Sequence, residues 1–142
     1  MRLLVSACLL GCACRYDGGS KPCDAVLRLA ENHELIPVCP EQLGGLPTPR
    51  LPAEMQGDRV VNRDGADVIA AYQKGAAETL RLCRILHADG AVLKARSPSC
   101  GKGQVYDGSF SGALTAGNGV TAQVLLAHGI PVWTEDETDQ IQ

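Results

Sequence analysis

Short apolar runs alternate with longer segments of helical periodicity, and this alternation limits the folds open to the chain more than any other feature. The short runs have the length of buried strands and cover residues 3–6, 35–38, 91–94 and 130–133. Between them, apolar residues recur three to four positions apart in the segments 22–33, 65–87 and 118–128. The pattern predicts an α/β protein with an open parallel sheet of Rossmann-like type and helices on both faces. It does not predict the order of the strands.

One stretch, residues 40–64, breaks the alternation. It contains four prolines and three glycines, so neither a long helix nor a central strand is expected to run through it. We expect a long Pro/Gly-rich loop after the second strand, and loops of this length inside a compact domain are usually functional. The length of 142 residues suits a single domain, residues 1–135, followed by an acidic tail, residues 136–142, that is expected to fray.

Charge and hydropathy exclude several classes of function. The chain carries 13 lysines and arginines against 16 aspartates and glutamates, a net charge of −3, and has no basic run. We therefore do not expect a partner that is a long nucleic acid. No segment approaches the roughly 20 apolar residues of a membrane span, and the first apolar run is too short for a secretory signal. We expect a cytoplasmic protein without a membrane partner.

Seven cysteines are many for such a protein, and in the cytoplasm they indicate metal or thiol chemistry more than disulfide bonds. Cys8 lies just past the first predicted strand, Cys39 lies just past the second, and Cys100 lies six residues after the third. Parallel strands bring their carboxyl ends to one edge of the sheet, where open α/β folds bind their ligands. The fold itself therefore predicts a site with three thiols.

The other four cysteines are assigned less sharply. Cys83 falls on the apolar stripe of the long predicted helix and is expected to pack in the core. Cys23, near a helix start, suits either the core or the site. Cys12 and Cys14 follow Cys8 closely in a Gly-rich loop, so either is able to replace or supplement it as a ligand.

The spacing of the thiols also indicates what they bind. Structural zinc sites use closely spaced pairs such as Cys-x₂₋₄-Cys, and the close set that begins at Cys8 does not match them. Iron–sulfur clusters are held by thiolates, and a cubane with three cysteine ligands leaves one iron open to a substrate. Glu41, Ser97 and Ser99 would face that open position, and spacing alone does not choose between the serines. An open iron, a carboxylate and a hydroxyl make a non-redox catalytic site.

Five motifs in this chain resemble, in their order, those of a known family. They are SACLLG at 6–11, RYDG at 15–18, CPEQLGGLPTPR at 39–50, RSPSCG at 96–101 and YDGSF at 106–110. The resemblance covers nearly the whole chain and is to the small bacterial domain of the thiouracil desulfidase (TudS-like) family. It implies a cytoplasmic enzyme with a [4Fe-4S] cluster that removes sulfur from a thiolated nucleobase such as 2-thiouracil, giving uracil and sulfide without net redox change.

The resemblance also assigns roles to single residues, motif by motif. The cluster ligands fall on Cys8, Cys39 and Cys100, and one iron keeps an open position. The catalytic carboxylate of the family falls on Glu41, and its catalytic serine falls on Ser97. The resemblance therefore chooses the same three thiols as the strand positions do, and it selects one serine where spacing selects none.

Three further side chains are candidates for binding a small thiolated nucleobase or nucleoside. Arg50 and Arg15 lie in motif loops, where a guanidinium can bind a polar substrate edge or balance the negative charge of a cluster. Ser99 offers a second hydroxyl. The alternative function is a non-catalytic module that binds or carries a metal or sulfide through the same cysteines. The oligomeric state is not predicted.

Overall fold

The computed structural model describes all residues, 1–142, and is built around a central parallel sheet. In chain order its strands and α-helices are β1 (Arg2–Ser6), α1 (Asp24–Leu27), β2 (Glu34–Val38), α2 (Pro40–Leu43), β3 (Ala53–Gln56), β4 (Arg59–Asn62), α3 (Ile69–Ile85), β5 (Gly90–Leu93), β6 (Gln104–Tyr106), β7 (Leu114–Ala116), α4 (Val120–Ala127) and β8 (Val132–Thr134). None of the helices is long and apolar enough to cross a membrane.

Four strands form the central sheet, in the order β2–β1–β5–β8, and each adjacent pair is parallel. The inner strands β1 and β5 are almost entirely buried, as their unbroken apolar runs predict. The edge strand β2 contains Pro37, which an edge tolerates because proline has no N–H to donate to a neighbouring strand. The predicted α/β class with a parallel sheet is confirmed.

Helices cover both faces of this sheet, as predicted. On one face α3 and α4 pack against the strands in a core that includes Leu4, Leu80, Leu93 and Leu125. On the other face α1 and a 3₁₀ helix at Ala7–Leu10 close a second core that includes Leu3, Val5, Val26 and Val92. The sheet is thus buried on both sides, and its carboxyl edge is the remaining place for a site.

The longest helix, α3, lies inside the predicted segment 65–87 and is shorter at both ends. Before it, the Asn62 side chain accepts two backbone N–H groups of a turn, which delays the start of the helix. After it, His87 takes a positive φ of 53°, which a helix cannot continue through. Its buried residues follow the predicted period and include Cys83, which packs in the core.

The segment 22–33 differs from its prediction. Instead of one helix, the structure has the four-residue α1 followed by a 3₁₀ helix at Arg28–Glu31. Short 3₁₀ pieces are common at helix ends. Nothing else in the structure explains why the α-helix stops so early.

Two hairpins and a short helix occupy regions where no regular element was predicted. α2 directly follows β2, and β3 and β4 pair through the two-residue loop Gly57-Asp58, a common hairpin connection. β6 and β7 form the second hairpin. The Glu54 carboxylate of β3 accepts the backbone N–H groups of Gly108 and Phe110, at 3.0 and 3.1 Å, and so joins the two hairpins.

The acidic tail is more ordered than predicted, and the expectation of fraying is wrong for most of it. Residues Glu135–Gln140 form 3₁₀ turns with a kink at Glu137, and the segment begins with a capping box between Thr134 and Glu137. The Glu137 carboxylate also binds Lys102 Nζ at 3.1 Å, which fastens the helix to the loop after β5. The Thr-x-x-Glu spacing that makes this cap was readable in the sequence.

Candidate functional site

The three thiols predicted to act together line one cavity of about 570 Å³ at the carboxyl edge of the sheet. Cys8 lies in the 3₁₀ helix after β1, and Cys39 is the N-cap residue of α2, directly after β2. Cys100 lies in the loop after β5. Both hairpins also contribute to the cavity, among others through Glu54 and Phe110. The parallel strands therefore gather residues that are far apart in the sequence.

Burial sets the protonation of two of these thiols, Cys8 and Cys100. It raises the pKa of Cys8 to about 11, with a further rise from Cys39. It likewise raises the pKa of Cys100 to about 12, although a hydrogen bond from Ser6 opposes this effect. Both thiols therefore stay protonated at neutral pH unless a cationic group in the cavity favours the thiolates. No three His, Cys, Asp or Glu side chains are placed to hold a single metal ion.

Ser6, at the end of β1, forms a hydrogen bond with the Cys100 thiol. Its hydroxyl donates to Cys100 Sγ over 3.4 Å and accepts the backbone N–H of Lys94 at 2.9 Å. The serine is only 3% exposed, so both hydrogen bonds are shielded from water. Sequence reasoning missed this role. The signal for it was the serine at the end of a buried strand, because a buried hydroxyl needs hydrogen-bond partners.

Ser97 and Ser99, which spacing alone could not separate, are placed differently by the structure. Ser97 lines the cavity, and its Oγ accepts the backbone N–H groups of Ser99 and Cys100 at 3.2 and 2.7 Å. Its O–H proton remains free to donate. Ser99 does not line the cavity: it is buried and shares a hydrogen bond of 3.0 Å with the Thr121 hydroxyl of α4. Its predicted substrate contact is therefore not supported by its position.

Glu41, in the first turn of α2, lines the cavity and has a partner on each carboxylate oxygen. Arg50 binds Oε2 through Nε and Nη2, and the Tyr72 hydroxyl of α3 donates to Oε1 at 2.9 Å. The side chains of Glu41 and Arg50 are 16% and 6% exposed, so their ion pair is largely buried. Burial strongly raises the pKa of Tyr72, and the Glu41 carboxylate adds to the rise, so the hydroxyl remains a neutral donor.

Arg50 does not fit the predicted role of a substrate-binding residue, although it lines the cavity. A guanidinium has five N–H donors. Two bind Glu41, and the other three bind backbone or hydroxyl oxygens, namely Pro47 O, Thr48 Oγ1 and Cys14 O. With no donor left for a ligand, Arg50 is a clamp that fixes Glu41 and the Gly-rich loop.

Arg15 differs from Arg50 because its guanidinium makes no hydrogen bond in the structure. It lines the same cavity and stacks on the Tyr16 ring, with 5.6 Å between Cζ and the ring centroid. Arg63, which was not predicted as a site residue, also lines the cavity and lies at the same distance over Phe110. Of the two predicted arginines, Arg15 is the one with donors available to a ligand.

The cysteines left open by the sequence occupy three different environments. Cys14 is buried and lines the cavity, and its carbonyl accepts from Arg50 at 2.9 Å and faces Cys39 Sγ at 3.8 Å. Burial, and secondarily Cys39, raises the pKa of Cys14 to about 12. Cys12 is exposed and does not line the cavity. Cys23 packs beside the core of the α1 face.

Tyr72 is a further residue that sequence reasoning missed, because its spacing fits the apolar face of the long predicted helix. It is 3% exposed, and a buried tyrosine usually needs a hydrogen-bond partner for its hydroxyl. That rule was a signal that a polar group would lie opposite this helix. It did not indicate which group, because Glu41 is 31 positions away in the sequence.

Comparison with known proteins identifies the family of this chain. The family described as 2-thiouracil desulfurase matches residues 3–137. An uncharacterised protein of Bacillus subtilis (strain 168), YbbK, is 40% identical over 149 residues, covering 98% of this chain and 99% of the relative. The solved structure of TudS, a [4Fe-4S]-dependent thiouracil desulfidase, is 44% identical, with a TM-score of 0.89 over 99% of this chain and 94% of its own. The chain therefore belongs to the 2-thiouracil desulfurase family.

Proposed function

We propose that the chain is a [4Fe-4S]-dependent desulfidase that replaces the sulfur of a small thiolated pyrimidine, such as 2-thiouracil, with oxygen. The observation that carries the proposal is a single cavity in which three thiols from three strand ends meet a carboxylate and a hydroxyl. Family membership supports the reaction class, and the likeness to TudS supports the kind of cofactor.

The thiols of the cavity fit the cluster that this function needs better than they fit a single zinc ion. Thiolates around one tetrahedral zinc, with Zn–S bonds of about 2.3 Å, lie only about 3.8 Å apart, and no three donors in this chain are gathered around a single ion. In a cubane each cysteine binds a different iron, so the ligands stand further apart. Because Cys8, Cys39 and Cys100 line one cavity at the ends of three parallel strands, we assign them as the cluster ligands. The raised pKa values of Cys8 and Cys100 imply that binding the cluster releases protons.

When bound, such a cluster supplies an iron with an open position, a Lewis acid for the sulfur of a thiocarbonyl group. The residues around it can do the proton chemistry. Tyr72 and Arg50 leave one lone pair of Glu41 Oε1 free, and that atom accepts a proton from the water that attacks the carbon. The Ser97 hydroxyl, whose oxygen already accepts two backbone N–H groups, donates its proton in a hydrogen bond to the substrate.

The proposed reaction balances without an oxidant or a reductant. Water adds to the thiocarbonyl carbon and gives one proton to Glu41. As the carbon–sulfur bond breaks and the new C=O bond forms, that proton and the second proton of the water both go to the leaving sulfur. 2-Thiouracil and water thus give uracil and hydrogen sulfide, and no electrons are gained or lost. Arg15, which has free donors at the cavity, is proposed to bind a polar edge of the substrate.

Anaerobic reconstitution with iron and sulfide tests the cofactor and the activity together. We expect about four iron atoms per chain, since a [4Fe-4S] cluster has that content, and conversion of 2-thiouracil to equal amounts of uracil and sulfide. Loaded protein that desulfurates no thiolated base would support the non-catalytic carrier instead. Protein that binds no iron under these conditions would rule out the desulfidase and an iron–sulfur carrier, leaving only a carrier of another metal or of sulfide.

Matched variants test the residue roles in the same assay. Replacing Cys8, Cys39 or Cys100 by serine is expected to abolish the iron content, while Cys12→Ser, at an exposed thiol outside the cavity, keeps it. Glu41→Ala and Ser97→Ala are expected to keep the cluster and lose about 100-fold or more in kcat, the usual effect of a general acid–base group. A fully active variant of either residue would remove it from the mechanism.

A further inference from the structure

We infer that Tyr72 is a positioning residue that orients the Glu41 carboxylate for proton transfer and acts on the reaction only through it. The inference rests on the proposed function, because it takes Glu41 as the group that moves the proton. It adds a residue of α3, outside all of the motifs described above, to the machinery of the site.

The contacts of Glu41 carry the inference. The two oxygens of the carboxylate are bound from different sides: Oε2 by the guanidinium of Arg50, and Oε1 by the Tyr72 hydroxyl at 2.9 Å. With Arg50 alone, the carboxylate could turn about its last bond and exchange its oxygens. The tyrosine hydrogen bond makes them inequivalent, so the free lone pair of Oε1 keeps one direction.

Close packing between the backbones of α2 and α3 also holds Tyr72 and Glu41 at hydrogen-bonding distance. α2 and α3 approach so closely that a Cβ on Gly44 would lie 2.0 Å from Ala71 O, and one on Gly75 would lie 1.9 Å from Pro40 O. Glu41 lies between the two α2 contacts, and Tyr72 lies between the two α3 contacts. Two glycines therefore set the separation at which a tyrosine of one helix reaches a glutamate of the other.

The surroundings of Tyr72 favour a fixed donor over a mobile acid. Its ring is 3% exposed and packs in a core cluster with Val60, Ala76 and Val120, so it has little freedom to swing towards a substrate. Burial and the neighbouring carboxylate raise its pKa, which agrees with a hydroxyl that holds its proton. A residue of this kind changes the rate by holding the base in place.

Tyr72→Phe, measured on the reconstituted enzyme, tests the inference because it removes only the hydroxyl. We expect kcat to fall about 10- to 100-fold, a typical cost of misorienting a catalytic group, with KM within about twofold and with unchanged iron content and visible spectrum. Thr79→Val is the matched control. It removes another buried hydroxyl of α3, which bonds only to Gly75 O within the helix, and we expect it to leave kcat unchanged.

A double-mutant cycle with Glu41→Ala separates positioning from independent action. If Tyr72 acts through Glu41, then Tyr72→Phe causes no further loss of kcat in the Glu41→Ala background. The same comparison can be made on stability in iron-free protein. There we expect Tyr72→Phe to lower the urea midpoint of the otherwise wild-type protein more than it lowers the urea midpoint of the Glu41→Ala variant. Equal losses of kcat in both backgrounds, or wild-type kcat in Tyr72→Phe, would overturn the inference. Loaded wild-type protein without desulfidase activity would instead overturn the proposed function.

Discussion

At the scale of residues, the role of an arginine in this site depends on how many of its donors are free. Arg50 and Arg15 line the same cavity, yet Arg50 uses all five of its N–H groups on protein atoms, whereas the guanidinium of Arg15 makes no hydrogen bond. One therefore stabilises the site, and the other is available to a ligand. The two residues should respond differently to the same substitution.

Arg50→Ala is expected to lower the free energy of unfolding by about 3–5 kcal/mol, because it leaves a largely buried carboxylate without its partner. Urea denaturation of iron-free protein measures this cost. Arg15→Ala is the control: we expect little change in stability and, in the loaded enzyme, a raised KM. Equal destabilisation by the two substitutions would contradict the clamp role of Arg50.

The residue scale is also where the sequence was least informative. Position along the chain was enough to bring Cys8, Cys39 and Cys100 to one cavity, since each follows a strand of a parallel sheet. It could not show that Ser99 turns towards Thr121, because that contact depends on where α4 packs. Hydrogen bonds between side chains that are distant in the sequence depend on tertiary packing, so the spacing of apolar residues does not predict them.

At the scale of elements, the crossing of α2 and α3 is the contact on which the site depends most. The two helices touch backbone to backbone at Gly44 and Gly75, where side chains would hold them apart. α2 begins at Cys39, its N-cap, and carries Glu41 in its first turn. A change in this crossing therefore moves a proposed ligand and the proposed base together.

Gly75→Ala is expected to destabilise the protein by about 1–3 kcal/mol, the usual cost of overpacking, although alanine is the better helix former. The added methyl would otherwise lie 1.9 Å from Pro40 O, so α2 must shift. We also expect less iron per chain after reconstitution. Lys74→Ala, at the exposed neighbouring position, is the control. Wild-type stability and iron content in Gly75→Ala would show that the crossing tolerates a side chain.

Elements with a strong periodic signal were predicted well, and those without one were missed. The four strands of the sheet and the helix α3 follow from apolar spacing, because they are buried on a regular face. The hairpins have strands of only three or four residues, too short for a period of two to stand out. Their turn residues, such as Gly57-Asp58, were the available signal.

At the scale of the whole molecule, the carboxyl-terminal segment is fastened to the loop that carries Cys100. Lys102 follows Cys100 by two residues and binds Glu137 of the 3₁₀ helix at 3.1 Å. Burial alone would raise the pKa of Glu137, but the Thr134 N–H and the Lys102 ammonium outweigh it and hold that pKa below its usual range. The tail thus contributes to stability in a pH-dependent way.

A lowered pKa stabilises the folded state at neutral pH, and this contribution is lost as the pH falls through the pKa of the folded protein. Glu137→Gln should therefore lower the free energy of unfolding at pH 7 by about 1 kcal/mol or less, because the pair is partly exposed to solvent. We expect the difference from wild type to shrink as the pH falls below 4.5, the ordinary value for this group. Glu31→Gln, at an exposed glutamate without an ion pair, is the control and should show no such trend. A difference that stays constant with pH would contradict the role given to Glu137.

The clamp formed by Arg50 also affects how the protein is expected to behave without the proposed cluster. All of its hydrogen bonds join groups of the polypeptide, so they require no inorganic part. Proteins whose folding depends on metal binding unfold when a chelator removes it. Here the contacts of Arg50 hold the walls of the cavity without an inorganic part, so we expect iron-free protein to stay folded and to take up the proposed cluster when iron and sulfide are supplied.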